Sequence, residues 1–309
     1  MPSYTINPTV DAGAMENFQD SFHSLAQQTD SQLVQSGVAV FLPSKGKTTH
    51  YARIGRIELV EVDTRNPDKQ ISDYALDNRQ FTKRRFTKTI QIDAKHDINE
   101  LLKDPTSDIL MQLNHGKERV IDRIIVSSAI GSVLTGAPET SPVTTSAATD
   151  GVVTVDATAG LTYEKVQEIT ENFINNELPM SLIKGSLFAI AGTENTALMG
   201  EAEFISSDYI DARPVTEGVQ TSAGTYGIAL FGGSKTGGIT VNNPVLPESG
   251  TTRNCVVMTR DSVALSMELA ALEVTKSATK VNSWDITIDF WINAMRTEGV
   301  RVQQVNTTF

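Results

Sequence analysis

Apolar residues recur at spacings of three and four between Ile109 and Ala129: Ile109, Leu113, Val120, Ile121, Ile124, Ile125 and Ala129. That period places them on one face of an α-helix. Asp104-Pro105-Thr106-Ser107-Asp108 supplies the start. Proline turns the chain in, Thr106 or Ser107 caps, and Asp108 favours the positive end of the helix dipole. Gly116 interrupts the helix at a cost of about 1 kcal/mol, and Gly131 ends it. The predicted helix, Thr106 to Gly131, is about 38 Å long at ~1.5 Å per residue.

Before it the period changes to two. Tyr51 to Val62 alternates loosely, with Ile57 and Leu59 against Glu58, and slips phase at Leu59-Val60 as a bulge allows. Phe81 to Asp93 alternates with Phe86, Ile90 and Ile92 on one face. Between them Thr64 to Asn78 is charged and contains Asn66-Pro67-Asp68, a turn signal. The pattern predicts one long antiparallel hairpin from Tyr51 to Asp93, each strand reaching about 40 Å at ~3.3 Å per residue. Two strands alone are marginal in water, so this hairpin is expected to lie on another copy of the chain.

Residues 1 to 35 are mostly polar and read as an extended arm, with a short helix favoured from Met15 to Gln27. Val34 to Leu42 is a strand candidate. Thr135 to Gly160, rich in Thr, Ser, Ala and Gly, reads as a loop with a short hairpin around Gly151 to Asp156. Thr162 to Asn176 is a second amphipathic helix, with Val166, Ile169, Phe173 and Ile174 inward. Ser186 to Ala191 reads as a buried strand, and Thr193 as the cap of a helix through Met199. Val215 to Pro247 reads as glycine-rich loops and strands. Asn254 to Met258 is a strand, Arg260 to Ala271 a helix, Trp284 to Met295 a strand with Ile286, Ile288 and Phe290 inward, and Val300 to Val305 the last strand. The whole is α+β.

Charge sharpens the picture. The 309 residues carry a formal net charge of −11. Residues 51 to 95 carry ten Lys/Arg and seven Asp/Glu, a net of +3, so the rest carries −14. A basic segment on an acidic body suggests contact between the two, within one copy or between copies. The candidate contact residues are Arg53, Arg56, Lys69, Arg79, Lys83, Arg84, Arg85 and Lys88. An acidic chain of this kind is not a general nucleic-acid binder. No apolar run is long enough for a membrane helix, and no secretory signal is expected.

Chemistry-bearing motifs are sparse. His23, His50, His96 and His115 sit at no zinc-ligand spacing, and Cys255 lies in an apolar strand, as a core thiol does. Gly232-Gly233-Ser234-Lys235-Thr236 misses both the nucleophile-elbow and the phosphate-loop patterns. No enzyme activity, metal or cofactor is expected.

The order of parts, and Leu101-Leu102-Lys103-Asp104-Pro105-Thr106-Ser107 with Asp122-Arg123-Ile124-Ile125 through Ala129-Ile130-Gly131, resembles the major capsid proteins of tailed bacteriophages, which share the Hong Kong 97-type fold. The strand-then-helix from Leu187 to Met199 and the tail from Trp284 to Val305 are also similar. The resemblance implies an N-terminal arm (1–48), an extended hairpin loop (49–95), a peripheral lobe with a spine helix (96–160 and 285–309, helix 106–131) and an axial lobe (161–284). It implies pentamers and hexamers of this chain in an icosahedral shell. It also implies double-stranded DNA packaged without sequence-specific binding, a portal protein, a decoration or cement protein in some cases, and assembly in the host cytoplasm. With about 48 residues before the loop, any scaffold is expected as a separate protein. Where members crosslink through a Lys–Asn isopeptide, Lys69 near the loop tip is the residue in place, though nothing in the sequence marks it. An encapsulin-type compartment, a glycine-rich-site enzyme and a tail or adhesin component stay open as alternatives.

Overall fold

A computed structural model describes residues 27–43, 45–59, 61, 73–93, 106–136, 142–184, 186–200, 215–216, 219–220, 245–281 and 283–308. The expectations for residues 15–26, 64–72 and 232–236, and for Lys69, His23 and His96, lie outside the described residues.

The long helix forms as its period predicts, from Thr106 to Ile130 (α2, following the short α1, Gln32–Gln35). Leu113, Ile121, Ile124, Ile125, Val126 and Ala129 are buried. They face a four-stranded sheet in the order β1 (Ala39–Phe41), β13 (Val263–Lys276), β14 (Ser283–Arg296), β4 (Arg84–Asp93). Ile286, Ile288, Phe290 and Ile292 of β14 form its apolar face, and Phe86 of β4 stacks on Phe290 at 5.6 Å. α2 packs chiefly on β14 and also touches β12 (Thr252–Met258) and β15 (Val302–Thr308) of a second sheet. That sheet runs β11 (Glu248–Ser249), β12, β15, β7 (Val153–Ala157), with β8 (Leu187–Ala189) also on β12. Helix α3 (Tyr163–Asn175) closes it with Val166, Ile169 and Phe173. Helices α4 (Met180–Lys184) and α5 (Gly192–Gly200) flank β8 in sequence. One continuous apolar core joins α2 to both sheets.

The third sheet is the hairpin region: β2 (Thr48–Ile54), β3 (Leu76–Thr82), β5 (Val133–Gly136) and β6 (Val143–Thr145). Among the described residues, β9 (Val215–Thr216) and β10 (Val219–Gln220) pair only with each other.

Several expectations are corrected. The returning hairpin strand is Leu76–Thr82, not Phe81–Asp93: Thr48 faces Thr82 and Ile54 faces Leu76. Beyond a break at Lys83, β4 leaves the hairpin and pairs along β14, from Arg84↔Ile292 to Asp93↔Ser283. Alternation identified both strands but carried no information on their partners. Arg260 to Ala271 is strand, not helix. Its Ala, Leu, Met and Glu residues favour helix locally, but pairing with β14 from Val263↔Arg296 to Lys276↔Trp284 overrides that preference. Val34–Leu42 is strand only over Ala39–Phe41, since the chain first turns through α1. Around Gly151 there is a turn, not a hairpin, and β7 runs parallel to β15. Ile174 is exposed, and Thr193 lies inside α5 and not at its cap.

Candidate assembly surface

The hairpin is held at its root by buried charges. At the root, Arg79 of β3 is fully buried. Its Nη1 donates to Asp150 Oδ2 at 3.0 Å and to the Arg296 carbonyl at 2.8 Å, and its Nη2 pairs with Asp150 Oδ1. Arg296, also fully buried at the end of β14, donates from Nε to Asp150 Oδ2 at 2.8 Å. Its Nη1 donates to the carbonyls of Ala129 (2.7 Å) and Gly131 (2.9 Å). Those oxygens end α2, which has no basic residue in its own last turn. Arg296 therefore supplies from another strand the cation that a helix C-terminus favours. Burial lowers the Arg296 pKa while Asp150 raises it, and the lowering wins. Arg53 joins the edge, on Asp77 at 2.6 Å and 3.9 Å from Asp150. One carboxylate thus ties three elements together: the hairpin, the central sheet and the long helix. Gly299 makes room for it, because a Cβ there would collide with the Asp150 carbonyl oxygen.

Past the root, the hairpin exposes Ile54, Ile57, Leu59, Tyr74 and Leu76, with Leu59 98% exposed. Five large apolar side chains on one projecting element form a patch of the kind that marks contact sites. Along the far half of β13, Leu269, Leu272 and Val274 are exposed among the described residues, as are Glu273 and, across from Lys276 on β14, Trp284.

The eight predicted contact residues do not form one patch. Arg53 and Arg79 sit at the root. Arg56 is exposed and reaches Glu177 at 2.5 Å. Lys83 is buried against Glu268 at 3.3 Å. Arg85 holds Asp289 at 2.8 Å and lies 6.0 Å from the Trp291 ring centre. That guanidinium, through hydrogen bond and charge, holds the Asp289 carboxyl below its ordinary value. Arg84 and Lys88 are exposed on β4 and form no ion pair among the described residues. Asp150 and Arg296 were not singled out in the sequence. Their partners lie 71 and 146 residues apart, and no local pattern signals such a pairing.

Cys255 is fully buried, and burial first, with Glu194 second, pushes its thiol up to about 12. His50 and His115 contact amides of Asn78 (3.1 Å) and Gln27 (3.3 Å). Among the described residues no cluster of His, Cys, Asp or Glu is arranged to hold a metal, and no helix is long and apolar enough to cross a membrane.

A family described as phage capsid protein matches residues 10–308. No curated protein matches the sequence. Solved structures match along nearly the whole chain. The capsid of Ralstonia phage GP4 superposes with a TM-score of 0.66 at 9% identity, covering 95% of each chain. The head of Helicobacter pylori bacteriophage KHP40 gives 0.61 at 8% identity, covering 99% of this chain and 97% of that one. The capsid of cyanophage P-SCSP1u gives 0.58 at 12% identity, covering 95% and 93%. The fold is that of tailed-phage capsid subunits, the Hong Kong 97-type fold.

Proposed function

The chain belongs to the phage capsid protein family, and from that premise we propose that it builds the icosahedral head of a tailed bacteriophage as pentamers and hexamers enclosing double-stranded DNA. The family match over residues 10–308 carries this reading and favours a phage head over a cargo compartment. The subunit's physical features support it. A hairpin braced at a buried root, with exposed apolar residues beyond it, is an element made to be finished by a second copy. We place those residues on the neighbour's exposed β13 ledge of Leu269, Leu272 and Val274. The exposed cations Arg84 and Lys88 face acidic neighbour surface, as does Lys69, while Arg56 and Arg85 hold Glu177 and Asp289 of their own subunit. Arg53, Arg79 and Lys83 serve inside the subunit, holding the hairpin at its angle. Single exposed ion pairs contribute about 0–1 kcal/mol. Repetition over every interface of a closed shell makes such contacts sufficient. A separate scaffold, a portal and, on some heads, a decoration protein complete the assembly in the host cytoplasm. The protein's role is structural, with no catalytic step.

Particles assembled from a mixture of ¹⁴N- and ¹⁵N-labelled subunits, cross-linked through lysines and analysed by mass spectrometry, test the contacts. Mixed-isotope links from Lys69 or Lys88 are expected. Links from these residues that are only same-isotope contradict the placement.

A further inference from the structure

The long helix carries a second stripe, polar this time. Gln112, His115, Arg119 and Asp122 follow at spacings of three, four and three, which sets them on one face. The segment leading into α1 lies along it. Gln27 contacts Gln112, His115 and Arg119 through its side-chain amide. One turn further, fully buried Asp122 receives four donors. They are the Ser31 hydroxyl, the Gln28 amide, and the backbone N–H groups of Gln32 (3.2 Å) and Leu33 (3.3 Å). The last two are the first amides of α1, which have no partner within so short a helix. Leu33 then enters the core, fully buried.

We propose that Asp122 is the positioning residue that fixes where, and in which direction, the N-terminal arm leaves the subunit. The sequence order gives the direction. Leu33 lies at Asp122 and Gln27 at Gln112–Arg119, so the chain traced back towards its N-terminus runs towards the start of the helix. The direction in which Gln27 to Leu33 is laid along the helix decides which neighbour the preceding chain is aimed at, and that part of the inference rests on the shell reading.

Asp122 is a poor choice for stability alone. Burial pushes its carboxyl above the ordinary carboxylate value, and the hydrogen bonds from Ser31, Gln28, Leu33 and Gln32 only partly pull it back. In sequence, the segment from Gln27 to Gln35 carries one charged residue, Asp30, and the helix turns flanking Asp122 carry Glu118, Arg119 and Arg123. Removing the charge while keeping the shape relieves the burial cost and loosens the clasp, so the two roles separate.

Hydrogen exchange on the unassembled full-length subunit provides the test. Asp122→Asn keeps one acceptor oxygen and Asp122→Ala keeps none. Amides in residues 28–36 are expected to exchange about tenfold faster in Asp122→Asn, and faster still in Asp122→Ala. Peptides from 106–130 and 252–258 are expected to stay within twofold of wild type. Ser31→Ala, made from the arm side, is expected to give the same local signature. Unchanged exchange in 28–36 overturns the proposal. Exchange raised equally throughout the chain also overturns it, because Asp122 is then a general stability residue. If the local signature appears but assembly proceeds as in wild type, the link from arm direction to neighbour choice is overturned and the clasp stands. If neither wild type nor variant assembles, it is the shell reading that fails.

Discussion

Asp150→Ala is the sharpest perturbation of the hairpin root. Among the described residues, Asp150 is the one carboxylate between two fully buried guanidiniums, Arg79 and Arg296, with Arg53 at the edge. Its removal leaves two buried cations facing each other. Breaking a buried ion pair from one side costs about 3–5 kcal/mol, because the remaining charge is uncompensated. With a urea m-value of about 3 kcal/mol per molar, the unfolding midpoint falls by roughly 1–1.7 M. Arg79→Met removes a cation instead, leaving Asp150 with Arg296, and is expected to cost less than Asp150→Ala. Urea titration of the unassembled subunit, followed by intrinsic fluorescence, reads both, with exposed Glu171→Ala as the control. A midpoint for Asp150→Ala within 0.3 M (about 1 kcal/mol at that m-value) of the control would refute the reasoning. An Arg79→Met loss larger than that of Asp150→Ala would refute it as well.

Other expectations follow from single sites. Gly299→Ala forces a methyl onto the Asp150 carbonyl and is expected to cost about 1–3 kcal/mol or more, read as a lowered thermal midpoint and soluble yield. Ile125→Ala, at a fully buried position of α2, is expected to cost about 2–5 kcal/mol in the same urea titration. Cys255, with its thiol raised to about 12, is expected to resist a disulfide-exchange reagent at pH 8 until the chain is denatured; rapid labelling of the native subunit would contradict its burial. The depressed carboxyl of Asp289 binds fewer protons folded than unfolded. The Arg85 contact is therefore present above the ordinary carboxylate pKa and lost as pH falls through the depressed one. Asp289→Asn is expected to flatten that acid limb of the stability profile. Arg84→Glu with Lys88→Glu is expected to impair assembly, measured by sedimentation, while leaving the subunit's urea midpoint unchanged.

What the sequence made legible was what is local. The long helix could be read to within a residue of its end, because its start signal and its apolar period lie in one continuous stretch. Spacing alone does not mark the polar stripe at 112, 115, 119 and 122, because its partners lie on the arm segment, 85 to 94 residues away. β13 was misread because Ala, Leu, Met and Glu favour helix, and only its partner β14, further along the chain, makes it strand. The basic run Lys83-Arg84-Arg85 looked like one patch. In the structure a break at Lys83 turns that residue inward to Glu268 and sends the two arginines onto another sheet. Arg79 was picked out for its charge, but its role is set by Asp150 and Arg296, which no local signal connects to it.

Electron microscopy of the purified protein, expressed alone and with a co-expressed scaffold, tests the central claim most directly. The account predicts closed shells with fivefold vertices and sixfold faces, in which each subunit's hairpin lies on a neighbour. Monomers or small closed oligomers under both conditions, or fibrous particles, would contradict it.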